Sequence, residues 1–197
     1  MFYFCRWKKQ TIMNTHAKKQ TIETVLYILN KTGGTDIYHL MKILYFAEQK
    51  HLLEWGTKMV PDVFHAYKYG PVPGQILKAL HSKSRQEDDL PKLFKKVVYF
   101  AGEDAPYVLL PVREPDMEWV SQAEVECLDK SIDENIGLSF CQLLEKSHDV
   151  AWQEAWTSAQ AGHGDIMTSE SIAKAAGASE GLLEYIKEQM EIDLALR

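Results

Sequence analysis

The chain has little of what locks small folds or holds metals. Cysteine occurs three times, as Cys5, Cys127 and Cys141, an odd number with no CxxC spacing. That argues against a disulfide framework and a four-thiolate zinc site, and it fits a reducing cytoplasm. Seven histidines are present, yet there is no HExxH and no His/Cys pair at finger spacing with a matching second pair, so no metal site is expected. No apolar run approaches the roughly 18 residues that a membrane span requires. Bases are also short, 22 against 28 acids, for a formal net charge of −6. A general affinity for phosphate backbones needs a basic footprint, so nucleic acid is not expected as a partner, whereas a basic protein would suit the balance.

Catalytic signatures are missing too. There is no GxSxG, no P-loop and no GxGxxG, and the glycine loops GGTD (33–36) and GHGD (162–165) lack the lysine or strand context of a phosphate cradle. Cys141 and His148 stand seven apart on one expected helix, which separates them by about 10 Å along its axis. On an apolar stripe, Cys141 is expected as a small core residue. No catalytic residue and no cofactor are expected. A hydrolase using His148 with Asp149 or Cys141 is kept as an alternative.

What is present is helical periodicity. Ile22, Val25, Leu26 and Leu29 form one stripe over residues 18–31, stopped by Gly33-Gly34. Thr35-Asp36 offers cap chemistry for a second helix that runs to Gly56 with Ile37, Leu40, Met41, Leu44, Ala47 and Leu52 in phase. Tyr45 and Phe46 widen that stripe, so this helix is expected at the centre, packed on more than one side. VFHAYKYG (63–70) is expected as an extended approach or short turn, and Pro73 opens a helix through Ile76, Leu77 and Leu80. SKSRQEDDLP (82–91) suits a solvated loop, and KLFKKVVYF (92–100) with YVLLPVR (107–113) suits a hairpin that Pro111 confines to an edge or an early end. Capping boxes at Ser121–Glu124 and Ser139–Gln142 open further helices, SHDVAWQEAW (147–156) continues the second, and helices over 169–176 and 179–195 finish the chain. The last pair has the outline of a helix-turn-helix, but Glu180, Glu184 and Glu188 would face the phosphates, so two packed helices closing the domain is the preferred account. The fold class expected is α+β, mostly α-helical, a single compact helical domain with a small β-hairpin. Residues 1–12 are expected to be an N-terminal extension before Met13, leaving 13–197 as the domain.

HAYKYGPVPGQI (65–76) concentrates two tyrosines, two glycines and two prolines between helices. Together with KILYFAEQKHLLEWG (42–56) and the later LLEKSHDVAW (143–152), it resembles the Panacea domain, the family of SocA-like antitoxins also described as phage-associated proteins. The resemblance rests on Lys42, Leu44, Tyr45, Phe46 and Ala47, on Tyr67, Lys68, Tyr69, Gly70 and Pro71, and on Ser147, His148 and Trp152, and it spans about residues 20–176. Tyr67 stands where many relatives carry tryptophan.

The resemblance implies a bacterial or prophage antitoxin, cytoplasmic and not an enzyme, that neutralises a cognate toxin protein encoded next to it by direct binding. Its candidate contact or motif residues are Lys42, Tyr45, Phe46, Tyr67, Lys68, Tyr69, Gly70, Pro71, His148 and Trp152. Gly70 permits a bend and Pro71 and Pro73 remove freedom, so a surface built here would lose little entropy on docking. The structural alternative packs Tyr67 and Tyr69 inward and has His148 and Trp152 support each other as i, i+4 neighbours. Strand alternation would aim Lys68 opposite to both tyrosines. A proteolytic adaptor, another protein-interaction module and a DNA-binding autoregulator are the remaining alternatives.

Overall fold

The computed structural model describes residues 13–82 and 90–195; the expected extension over 1–12 and residues 83–89 of the expected loop lie outside the described residues. Helix α1 (Thr15–Thr32) starts where the Asn14 side chain accepts the Ala17 N–H and stops at Gly33 in the left-handed conformation, φ 69°. A two-residue strand, β1 (Thr35–Asp36), leads into α2 (Ile37–Trp55), which Asp36 caps by accepting the His39 N–H at 3.0 Å. Leu40 to Glu48 are all buried on α2, so no stretch of its middle faces water. It is the axis of the molecule, as its apolar circumference demanded, and later elements pack around it.

Next comes a hairpin, β2 (Phe64–Tyr67) and β3 (Gly70–Pro73), running directly into α3 (Gly74–His81). Register pairs Tyr67 with Gly70 and Phe64 with Pro73, so only Lys68 and Tyr69 form the loop. Ala66 N–H bonds outward to the Asp165 carbonyl, which leaves the alternate residues of β2 to face β3. Pro71 and Pro73 therefore place their missing donors on the free edge, where a strand tolerates them. Pro73 cannot cap α3 with a side chain. Buried Asp62 does so from a distance, one oxygen accepting the Gln75 and Ile76 N–H groups at 2.8 and 2.9 Å.

KLFKKVVYF is not a strand throughout. Residues Leu90–Val97 form α4, with Leu90, Phe94 and Val97 buried at helical spacing, and only Val98–Phe100 is extended as β4. β4 pairs antiparallel with β5 (Val108–Pro111), as the hairpin expectation required, and β5 ends at Pro111. β5 also pairs with β1 in a three-stranded sheet of order β1-β5-β4. Both capping boxes are present, opening α5 (Gln122–Asn135) from Ser121 and α6 (Phe140–Ser147) from Ser139. The helix expected to continue through SHDVAW breaks at His148, and Asp149 caps a new one, α7 (Val150–Gln160), by accepting the Trp152 N–H at 3.1 Å. β6 (Ile166–Met167) joins β2 to make the second sheet, β3-β2-β6, which was not foreseen. α8 (Ser169–Ala175) and α9 (Glu180–Ala195) pack together as a closing pair. The architecture is α+β and mostly helical.

Candidate functional site

The loop of the β2–β3 hairpin stands on a buried polar support. Gly70 has φ 97°, and a Cβ there would lie 2.5 Å from Lys42 Nζ and 2.6 Å from Ser147 Oγ. Two requirements thus converge on glycine, a left-handed backbone and no side chain. Lys42 is fully buried on α2 and donates from Nζ to the Pro71 carbonyl at 2.9 Å. Its ammonium also lies 5.1 Å from the centre of the Tyr38 ring. Burial pulls the Lys42 pKa from 10.5 down to about 7, with the Asp149 carboxylate opposing that shift.

Around the ammonium lie groups from α2 itself and from the junction of α6 and α7. Tyr45, buried on α2, donates its hydroxyl to Asp149 Oδ2 at 2.7 Å, and Gln49 reaches the same oxygen at 2.8 Å. Burial, then the Asp149 charge, holds the Tyr45 phenol well above its ordinary pKa. The Tyr38 phenol is pushed up to about 12, mainly by burial. Burial and, after it, the Lys42 charge lower the His148 pKa, which favours the neutral imidazole. Tyr38 Oη and His148 Nε2 are buried without a protein hydrogen-bond partner.

The third block braces the hairpin from the side. The His148 ring stacks on Trp152 with centroids 3.5 Å apart and planes 5° from parallel, and Trp156 stacks beyond at 5.5 Å. Trp152 Nε1 donates to the Tyr67 carbonyl at 2.9 Å, tying α7 to the last residue of β2. The three sequence blocks, 42–56, 65–76 and 143–152, therefore meet at one place.

Within that place the candidate residues divide. Lys42, Tyr45, Phe46, Gly70, Pro71 and Trp152 are buried and form the support. Tyr67 and His148 are half-buried, and Lys68 and Tyr69 are exposed. Lys68 does not point away from Tyr69: its Nζ lies 5.3 Å from the centre of that ring, because the two residues form the loop, where strand alternation does not apply. Cys141 is exposed instead of lying in the core, and Cys127 is the buried thiol. Asp149 spends its carboxylate on Trp152 N, Tyr45 and Gln49, not on His148. Tyr38 and Phe140 belong to the site and were not singled out, and Asp149 was weighed only as a partner of His148. Asp149 had a signal, an Asp three residues before Trp152 in cap position.

Among the described residues no group of three or more His, Cys, Asp or Glu side chains is placed to hold a metal ion, and no helix is long and apolar enough to cross a membrane. No curated protein and no solved structure matches the chain. The family model described as the antitoxin SocA-like Panacea domain matches residues 40–153, more than half of the chain and inclusive of all three blocks. The chain belongs to that family.

Proposed function

We propose that this Panacea-domain protein is a cytoplasmic antitoxin that binds a cognate protein toxin, encoded beside it, and silences it by contact without making or breaking a bond. The observation that carries this reading is the hairpin loop itself. Two exposed residues, Lys68 and Tyr69, are held by a glycine pressed on buried side chains, by a lysine hydrogen bond to Pro71 and by a tryptophan hydrogen bond to Tyr67. A loop stiffened in this way loses little conformational entropy when a partner docks, which favours recognition over chemistry. The buried motif residues build the fold of the contact surface, and steric occlusion of the toxin's working surface is the mechanism that a rigid body serves best.

Co-expression tests it. A neighbouring gene that stops growth alone should become harmless with this protein, and the two products should co-purify at unchanged toxin level. A harmless neighbour, or one that stays toxic, defeats the reading; a falling toxin level would instead indicate a proteolytic adaptor.

A further inference from the structure

Three aromatic rings run in contact from the core to the hairpin loop. Tyr38 of α2 meets Phe140, the first residue of α6, with centroids 4.5 Å apart, and Phe140 meets Tyr69 edge-on at 5.8 Å. The outer two are open to solvent, Tyr69 by 54% and Phe140 by 45%. Each buries large apolar area at the cost of few rotamers, the property that makes aromatic side chains dominate binding surfaces.

Lys68 lies above this strip and is not matched to a carboxylate. Lys31, Lys50, Lys130, Lys146 and Lys174 each have an acidic partner, whereas among the described residues Lys68 has only the Tyr69 ring. An exposed cation beside exposed aromatics, on a backbone that cannot relax away, is complementary to an apolar group with a negative charge next to it. The chain's overall acidity does not oppose this, because charges more than a Debye length of about 8–10 Å away are screened at physiological salt.

Resting on the antitoxin reading, we infer that the toxin meets this strip with a segment in which an apolar side chain is flanked by Asp or Glu, the apolar group lying on Tyr69 and Phe140 and the carboxylate on Lys68 Nζ. The partner's own net charge is then secondary. What selects it is one carboxylate at contact distance from Lys68.

Selection from a random peptide library on the full chain tests this without knowing the toxin. Enriched peptides should place Asp or Glu beside Leu, Ile or Phe, and the best of them should bind Lys68→Glu and Tyr69→Ala at least about tenfold more weakly. Both variants change exposed side chains, and urea unfolding should place them within the parent's stability. No enrichment, enrichment of peptides without an acid, or binding indifferent to both substitutions overturns the inference. Growth rescue with the same variants separates the two claims. Full rescue by Lys68→Glu and Tyr69→Ala would reject this face and leave the antitoxin reading standing. Absence of rescue by the parent protein would reject the antitoxin reading, while the peptide selection still judges the face.

Discussion

Replacing Lys42 by Met should alter how stability depends on pH before it alters stability at any one pH. The ammonium is fully buried, and its pKa falls from 10.5 in a free lysine to about 7. Between those values the unfolded chain carries a proton that the folded chain has lost, so unfolding takes up protons and stability rises with pH. At about 1.4 kcal/mol per pH unit, the interval corresponds to a cost on the order of 5 kcal/mol, carried in full below the folded pKa and relieved progressively above it. Methionine occupies similar volume without charge. It leaves the Pro71 carbonyl without the donor that now lies 2.9 Å away. An orphaned buried acceptor costs about 1–3 kcal/mol at every pH. Near pH 6 the removed cation outweighs the lost hydrogen bond, and the variant should exceed the parent by about 2–4 kcal/mol; by pH 9 only about 2 kcal/mol of the cation's cost is left, so the two effects should roughly cancel. Urea-unfolding series at several pH values from about 6 to 9 give the difference curve directly. A difference independent of pH, or a variant that gains on the parent as pH rises, would refute the account of a buried, partly neutral lysine.

Gly70→Ala should cost at least about 2 kcal/mol in the same assay, since it adds left-handed strain to a Cβ overlapping Lys42 and Ser147, and loss of growth rescue should accompany it. Asp62→Ala removes the carboxylate that accepts from Val63, Gln75 and Ile76, and should cost about 1–3 kcal/mol by urea unfolding, with faster amide exchange at the start of α3. Arg113→Met leaves the buried Glu23 carboxylate, now held at 2.6 and 2.8 Å by the guanidinium, with only the Asp116 N–H; because Arg113 is itself 44% exposed, the cost should be about 1–3 kcal/mol and not the full value of a buried pair. In the native protein a thiol reagent should modify Cys141 quickly and Cys127 only after unfolding, because Cys127 is buried and its pKa is raised to about 11, chiefly by desolvation; peptide mapping distinguishes them.

Local chemistry carried most of the helical frame. Asn14, Asp36, Ser121 and Ser139 cap in the structure, and the last three offered cap chemistry in the sequence. Where the sequence misled, two local signals competed. KLFKKVV is rich in β-formers, yet Leu90, Phe94 and Val97 recur at i, i+4, i+7, and packing of that face decides the outcome. The second sheet needs β6, two residues long and a hundred positions from its partner, and no pattern within a window of that size identifies such a strand.

The support beneath the hairpin is different, because the sequence around its main element carries a signal for burial that the reading of Lys42 as a contact or motif residue did not use. LMKILYF places Lys42 inside a helix that is apolar around most of its circumference and packed on more than one side. A lysine there has no surface toward which to extend its stem, so its charge must meet a partner inside the protein or be given up. That partner lies in the Gly70-Pro71 bend of the hairpin. A Gly-Pro pair that bends the chain sharply presents a carbonyl that no helix or inner strand claims, and Pro71 O is the atom Lys42 reaches. What sequence spacing could not supply is the third side, the break at His148 that turns Asp149 and Trp152 toward the pair. Replacing Asp149 with Ala, which removes the α7 cap together with the Tyr45 and Gln49 hydrogen bonds, should loosen the hairpin loop while Lys42 keeps its bond to Pro71. Backbone relaxation at Lys68 and Tyr69 would then rise, and if it does not, the loop owes its rigidity to Gly70, Lys42 and the Trp152 hydrogen bond to Tyr67 without help from Asp149.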